Sequence, residues 1–289
     1  MSVPQWQSIP VLSGRTAHRL LDCRPGSLEV SLDLGRTRSA VQVEGEALIL
    51  PDGQRLGKAR LVEEFSEPED CIAVREGRPR KVYHYDEQRR SYYKLFQSHP
   101  DRPPTILING ATMHPVSGTD PWEGTREMVA QVPKCGGECL DTCCGLGYSA
   151  QMLSERGFDA VVTCDVDANV LRVAAVNPWS EGLFTSERID VLHADLREVV
   201  ADTPAGRFAC IFHDPPTVYQ AGELYAGALY GEFRRALTSR GILYHYVGSP
   251  GGRRGQDYAH GVIQRLQEAG FYRVRRVSGG VLARKRPAT

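Results

Sequence analysis

No run in this 289-residue chain is both long and apolar enough to cross a bilayer. The start, Met-Ser-Val-Pro-Gln-Trp-Gln, has neither the charged nor the apolar region of a secretion signal. The expectation by default is a cytoplasmic protein with no membrane contact. An excess of charge of either sign is also lacking. Lys+Arg and Asp+Glu both number 35, so overall charge gives no argument for a polyanionic partner, and any basic surface must be local. Cysteine occurs eight times but never as a C-x2-C pair, so zinc-site spacing is missing and no metal is expected. Cys135, Cys139, Cys143 and Cys144 read instead as small buried side chains. A disulfide framework does not suit a chain of this length. What remains is a globular composition, 41% hydrophobic and 24% charged, enough for one large domain or two smaller ones.

The informative stretch is Glu138-Cys-Leu-Asp141-Thr-Cys143-Cys-Gly145-Leu-Gly147-Tyr-Ser-Ala150. It reads as a buried strand, a glycine turn and the start of a helix. Gly145 and Gly147 let backbone amides approach a ligand at a helix N-terminus. Asp165 closes the next strand, at the distance where a strand end reaches a ribose hydroxyl. Two cofactors compete for such a site. Gly145-x-Gly147-x-x-Ala150 fits the dinucleotide fingerprint of a dehydrogenase. Asp141, however, would repel a pyrophosphate and attract an ammonium group. S-adenosylmethionine carries an ammonium and a sulfonium and no phosphate, so it is preferred.

Before this stretch the pattern is β-rich. Residues 1–26 look loosely structured. Leu28 to Leu34 alternates as a half-buried strand, and Ala40 to Val43, Ala47 to Leu50, Cys71 to Val74 and Val82 to Tyr85 follow as short strands. One short helix is expected near Ala59 to Phe65. The prolines of His99-Pro-Asp-Arg-Pro-Pro104 suggest a boundary, giving a small domain over 1–104 and a second over 105–289. Within the first, arginines and lysines between Arg75 and Lys94 interleave with Tyr83, Tyr85, Tyr92 and Tyr93. That mixture suits single-stranded nucleic acid, although a solvated, salt-bridged sheet edge has the same composition.

From Asp120-Pro-Trp-Glu123, which starts a helix, strands and helices alternate. Strands are expected at Glu138 to Thr142, Ala160 to Cys164, Ile189 to His193, Phe208 to His213 and Ile242 to Val247. Helices are expected near Tyr148 to Arg156, Ala168 to Val176, Leu196 to Val200, Glu223 to Leu237 and Asp257 to Ala269. Phe271 to Val277 and Gly280 to Lys285 form a closing hairpin. The fold class is α/β, a mostly parallel Rossmann-like sheet with an antiparallel end.

Ligands of such sheets bind at the carboxyl ends of the strands, which here carry Asp141, Asp165, Asp195 and Asp214. Asp195 is placed to accept from an adenine amino group or to cap the helix at Leu196. Phe212-His-Asp214-Pro215-Pro216-Thr217 is the sharpest of the four. Its prolines stiffen the loop, so that the Asp214 carboxylate and the Pro215 carbonyl can orient an amino group, and alignment supplies much of the rate of methyl transfer.

Together, Asp141 to Gly147, Asp165, Asp195 and Asp214-Pro-Pro216 resemble the motifs of class I S-adenosylmethionine-dependent methyltransferases. More narrowly, the chain resembles a mostly archaeal group of predicted methyltransferases related to the tRNA-modifying MnmC type and to polyamine synthases. Asp141-Thr-Cys-Cys-Gly-Leu-Gly-Tyr148, Asn177-Pro-Trp-Ser180, His213-Asp-Pro-Pro216, Ala221-Gly-Glu-Leu-Tyr225 and Tyr244-His-Tyr-Val-Gly248 carry that resemblance. It implies S-adenosylmethionine as cofactor, with Cys143, Val166 and Leu196 joining Asp141, Gly145, Gly147, Asp165 and Asp195 around it. Pro216, Tyr219, Glu223, Tyr225 and Trp179 are the candidate acceptor pocket, and His213, Glu223 and His245 candidate bases. Thr217 stands where amino-methylating relatives place a stacking aromatic, which weakens adenine or cytosine as acceptor; Tyr219 is the candidate replacement. RNA is the expected substrate. A polyamine or other small amine, with decarboxylated S-adenosylmethionine as donor, is the first rival, and a binding protein without activity the second.

Overall fold

The structure is a computed structural model that describes residues 2–248 and 258–287. Its contacts divide the chain into two units: Pro4–Trp122 with Asn169–Thr185, and Met1–Val3 with Glu123–Ala168 and Ser186–Thr289.

The second unit is built on seven strands: β1 (Glu138–Asp141), β2 (Ala160–Asp165), β3 (Ile189–His193), β4 (Phe208–His213), β5 (Leu237–Tyr246), β6 (Phe271–Val277) and β7 (Gly280–Lys285). Their spatial order is β3-β2-β1-β4-β5-β7-β6. The first five are mutually parallel, while β7 runs antiparallel between β5 and β6. This is a large, mostly parallel sheet of Rossmann-like type whose strand order reverses beside β1. The reversal opens a crevice at the carboxyl ends of β1, β2 and β4. The central strands are buried on both faces and therefore read as continuous apolar runs. Leu140, Ile211 and Leu243 are fully buried in one cluster with Phe208, Tyr230 and Phe233, each such side chain contributing about 1.5–3 kcal/mol.

The helices α1 (Tyr148–Glu155), α3 (Leu196–Asp202), α4 (Gly227–Ala236) and α5 (Tyr258–Glu268) belong to this unit, whereas α2 (Ala168–Ala174) lies, all but its first residue, in the amino-terminal unit. The helix expected from Glu223 to Leu237 is split. A 3-10 turn, Gly222–Tyr225, precedes α4, the chain is extended at Ala226, and Leu237 already belongs to β5. Asp257, the expected start of the last helix, lies outside the described residues.

The amino-terminal unit contains three antiparallel sheets. One pairs Val11–Ser13 with Cys71–Arg75 and Arg78–Lys81; a second orders Gly26–Val30, Ser39–Glu44, Ala47–Ile49 and Arg55–Gly57; a third orders Ala111–Thr112, Thr105–Ile108, Ser91–Phe96 and Tyr83–Asp86. Residues 1–26 are more ordered than expected. Val11–Ser13 is a strand and Gly14–Asp22 a helix, whose first turn is capped by the Ser13 hydroxyl accepting from the Thr16 amide. Val11, Leu12, Ala17 and Leu20 are fully buried, so tertiary burial overrides the prolines and glycine that suggested a loose start. Thr105–Ile108 pairs with Ser91–Phe96, which puts the proline cluster at 99–104 inside this unit. Asp70 is buried at the centre, with Lys81 Nζ at 2.8 Å and Lys94 Nζ at 2.5 Å. Those two cations and the Ser66 and Glu67 amides hold its carboxyl far below the usual range against the cost of burial.

Candidate functional site

The glycine turn between β1 and α1 closes through its own backbone. The Cys144 amide donates to the Cys164 carbonyl at 2.8 Å and the Gly147 amide to the Cys144 carbonyl at 2.7 Å. Gly145 (φ 54°) and Gly147 (φ 74°) are both left-handed, the conformation that a side chain resists. The Gly145 amide donates to Asp165 Oδ2 at 3.0 Å, and the Asp167 amide to Asp165 Oδ1 at 2.9 Å. One carboxylate at the end of β2 thus shapes the turn after β1. Burial pushes Asp165 up to about 6 despite these bonds. Val166, next in the chain, is 57% exposed and offers an apolar surface at the same strand end.

Asp141 is the unusual group. It is fully buried. Its Oδ2 accepts from Thr163 Oγ1 at 2.7 Å and Ser149 Oγ at 3.1 Å. Its Oδ1 is buried with no hydrogen-bond partner among the described residues. Burial, with Asp214 and Asp165 nearby, pushes its carboxyl up to about 7. An orphaned carboxylate oxygen in a protein interior is costly unless a donor meets it. An ammonium group supplies that donor and the compensating charge. The residues present therefore fit the amino-acid end of a sulfonium nucleoside, and a pyrophosphate does not fit. Sequence reading found Asp141 but missed the two hydroxyls that hold it; Thr163, a lone polar residue in an apolar strand, was the available signal.

Asp214 follows β4. Its side chain makes no hydrogen bond or ion pair among the described residues, and burial pushes it up to about 7. Pro215 is buried and Pro216 exposed. The Tyr225 hydroxyl donates to the Pro216 carbonyl at 3.0 Å, so Tyr225 braces the loop from outside the turn. A second brace sits beneath it. Thr142 Oγ1 lies 2.7 Å from His213 Nδ1, and His213 Nε2 lies 2.9 Å from the Leu224 carbonyl. A carbonyl only accepts, so Nε2 carries the proton, Nδ1 accepts, and the Thr142 hydroxyl donates. Burial pushes His213 down to about 4, so the ring is neutral. Thr142 follows Asp141 and His213 precedes Asp214; one hydrogen bond therefore fixes the two strand ends that carry the site carboxylates. His245 Nδ1 lies 2.8 Å from the Tyr246 carbonyl and its Nε2 2.9 Å from the Tyr230 hydroxyl. Both candidate histidine bases are thus buried, bonded on both nitrogens and engaged in structure.

The other sequence candidates fall differently. Asp195 caps α3, and both its oxygens are taken by Arg197, with Nη2 at 2.6 Å from Oδ2. Arg197 holds its carboxyl below the usual range. Of the two roles open to Asp195, the structure displays the cap. Leu196 is buried in the sheet core. Cys143 sits in the turn beside Thr142, with burial raising its thiol well above the ordinary value. Glu223 is exposed on the 3-10 turn, and Tyr219 is 68% exposed beyond Thr217. Trp179 belongs to the amino-terminal unit, where its indole Nε1 donates to the Leu34 carbonyl at 3.1 Å and its ring meets Trp122 at 5.5 Å. That tie is what the structure displays for it.

No protein-family model matches the chain. It is 34% identical over 283 residues to the uncharacterized protein MJ1233 of Methanocaldococcus jannaschii, with 95% of each chain covered. Among solved structures, a spermidine synthase in complex with the transition-state analogue AdoDATO is similar with a TM-score of 0.56 at 18% identity, over 71% of this chain and 73% of that one. Spermidine synthase from Thermotoga maritima gives 0.54 at 18% identity, over 71% and 72%. At such identity the likeness is one of fold.

Proposed function

Since the chain belongs to one family with the uncharacterized Methanocaldococcus jannaschii protein MJ1233, whose name assigns no reaction, the site itself must carry the reading, and we propose an S-adenosylmethionine-dependent methyltransferase acting on a nitrogen of RNA. The observation that supports it most is the buried, unpartnered Oδ1 of Asp141 beside the left-handed turn at Gly145 and Gly147. Asp141 would hold the cofactor's ammonium, the turn would pass close to its amino-acid end, and Asp165 and Val166 would face its nucleoside. Bound there, the cofactor supplies an electrophilic methyl group on a cationic sulfur. Asp214 accepts a hydrogen bond from the acceptor N–H and so directs the nitrogen lone pair. With its carboxyl near neutrality it can take the proton that the nitrogen sheds on transfer. Pro215 and Pro216, braced by Tyr225, keep that carboxylate from turning away. Titration calorimetry with S-adenosylmethionine tests the first half: binding by the wild type and its weakening in Asp141→Asn are expected, and absence of binding in the wild type would leave a protein without cofactor. Incubation with methyl-labelled cofactor and fractionated extracts tests the second: label confined to protein or small molecules would overturn RNA as acceptor.

One observation favours a second reading. The charges acting on Asp141 are those of Asp214 and Asp165, a negative surround that suits a donor of higher positive charge. Decarboxylated S-adenosylmethionine is such a donor, and the reaction would then be aminopropyl transfer to an amine. Tighter binding of the decarboxylated nucleoside in the same calorimeter would decide for it.

A further inference from the structure

The strand Tyr83–Asp86 is the outer strand of its four-stranded sheet and, among the described residues, pairs only with Ser91–Phe96. In their antiparallel register Tyr83 stands opposite Lys94 and Tyr85 opposite Tyr92, so these side chains share one face. The opposite face is core: Tyr93 is 2% exposed and Leu95 fully buried. On the shared face, Tyr83 and Tyr85 are each 50% exposed. The Tyr83 and Tyr92 rings stack diagonally, 6.0 Å apart and 28° from parallel. Monomeric proteins seldom leave neighbouring aromatics on a sheet edge open without use. The turn joining the two strands is fixed at its base, where Asp86 accepts from the Arg89 amide at 3.0 Å and from Asn169 Nδ2 at 2.7 Å. Arg89 and Arg90 stand exposed on that turn. Lys94 adds nothing here, because its ammonium is spent on Asp70.

We propose that this face binds single-stranded RNA, with bases stacked on Tyr83, Tyr85 and Tyr92 and phosphates met by Arg89 and Arg90. Flat rings on a rigid sheet accept any base through its π-face, and guanidinium groups on the adjoining turn complement the phosphate run. A duplex keeps its bases stacked on one another and offers nothing to the rings. The identification of the partner as an RNA substrate rests on the reading of the protein as an RNA-modifying enzyme, whereas the binding itself does not.

The test is fluorescence anisotropy on the full chain with a labelled single-stranded RNA of about 15 nucleotides, alongside the matching duplex and S-adenosylmethionine calorimetry. Salt-dependent binding of the single strand is expected. Tyr83→Ala with Tyr85→Ala should weaken it about tenfold or more, while Tyr83→Phe with Tyr85→Phe retains it and shows that the rings are what matters. Arg89→Gln with Arg90→Gln should flatten the salt dependence by about one to two in slope. Cofactor binding stays unchanged in all of these. No binding by the wild type, equal binding by the alanine variant, or preference for the duplex would overturn the inference and leave the cofactor reading intact. Loss of cofactor binding with RNA binding kept would do the reverse.

Discussion

The imidazoles of His213 and His245 meet edge to face, their centroids 4.5 Å apart. They are opposite one another on neighbouring parallel strands, and both are fully buried. Two charged rings so close and so dry would repel strongly, and burial holds His213 at about 4 and His245 well below its ordinary value. The floor under the Asp-Pro-Pro loop is therefore neutral.

Acid sensitivity follows from that neutrality. The unfolded chain takes up protons at these rings near pH 6.5, whereas the fold refuses them until about pH 4 at His213. Between those values the unfolded state binds more protons, so stability drops as pH falls. His245→Gln, which can still accept from Tyr230, should reduce the loss of unfolding free energy between pH 6.5 and 4. Urea unfolding at both pH values checks this.

The site carboxylates have the opposite sign. Asp214 is raised to about 7 in the fold, so it binds extra protons there and destabilises the protein once pH exceeds the unfolded carboxyl value. Asp214→Asn should raise stability at pH 8 by about 1–2 kcal/mol, a figure reduced for partial exposure, with no gain below pH 4. Methyl transfer should fall about a hundredfold or more in the same variant. Thermal melts and label incorporation check the pair.

Cofactor affinity should depend on pH through Asp141. Its carboxyl, at about 7 in the fold, must ionise to face an ammonium. Binding should tighten as pH rises through 7, by about tenfold from pH 6 to 8. Asp141→Asn should bind about 10–100-fold more weakly than the wild type at pH 8, the cost of losing one charge-assisted hydrogen bond, and should show no such pH dependence. Calorimetry at three pH values checks both.

In the amino-terminal unit, Asp70→Asn would leave Lys81 and Lys94 pointing at a neutral amide in a buried place. Removing one partner of a buried ionic cluster costs about 3–5 kcal/mol, so this single change should lower the denaturation midpoint more than any of the site variants above.

The sheet was readable because its central strands are buried on both faces and its outer strands are bounded by turn residues. Ile189–His193, Phe208–His213, Phe271–Val277 and Gly280–Lys285 have the bounds that their apolar runs and turn residues predict. The start of β5 at Leu237 was not readable, because Leu237-Thr-Ser-Arg240 has no apolar run and is a strand only by pairing. Ser91–Phe96 and Thr105–Ile108 were missed for a related reason: tyrosines and prolines mask an alternation that only the partner strand reveals. In the site, charged residues at strand ends stood out, so Asp141, Asp165 and Asp214 were found. Thr142, Ser149 and Thr163 act through hydrogen bonds to residues 8 to 71 positions away, and no local pattern marks such contacts.

The stretch 169–185, which includes nearly all of α2, sits between β2 and β3 in the chain yet packs with the amino-terminal unit. Trp179 donates to the Leu34 carbonyl, and Arg36 reaches Glu181 at 2.7 Å. A lineage that exchanged its first 120 or so codons by one crossover would orphan this stretch, its indole without an acceptor and Glu181 without its cation. Descent should therefore have kept the two pieces together, with substitutions at 34–36 answered by substitutions at 178–181, and any transplant of the amino-terminal unit must carry both.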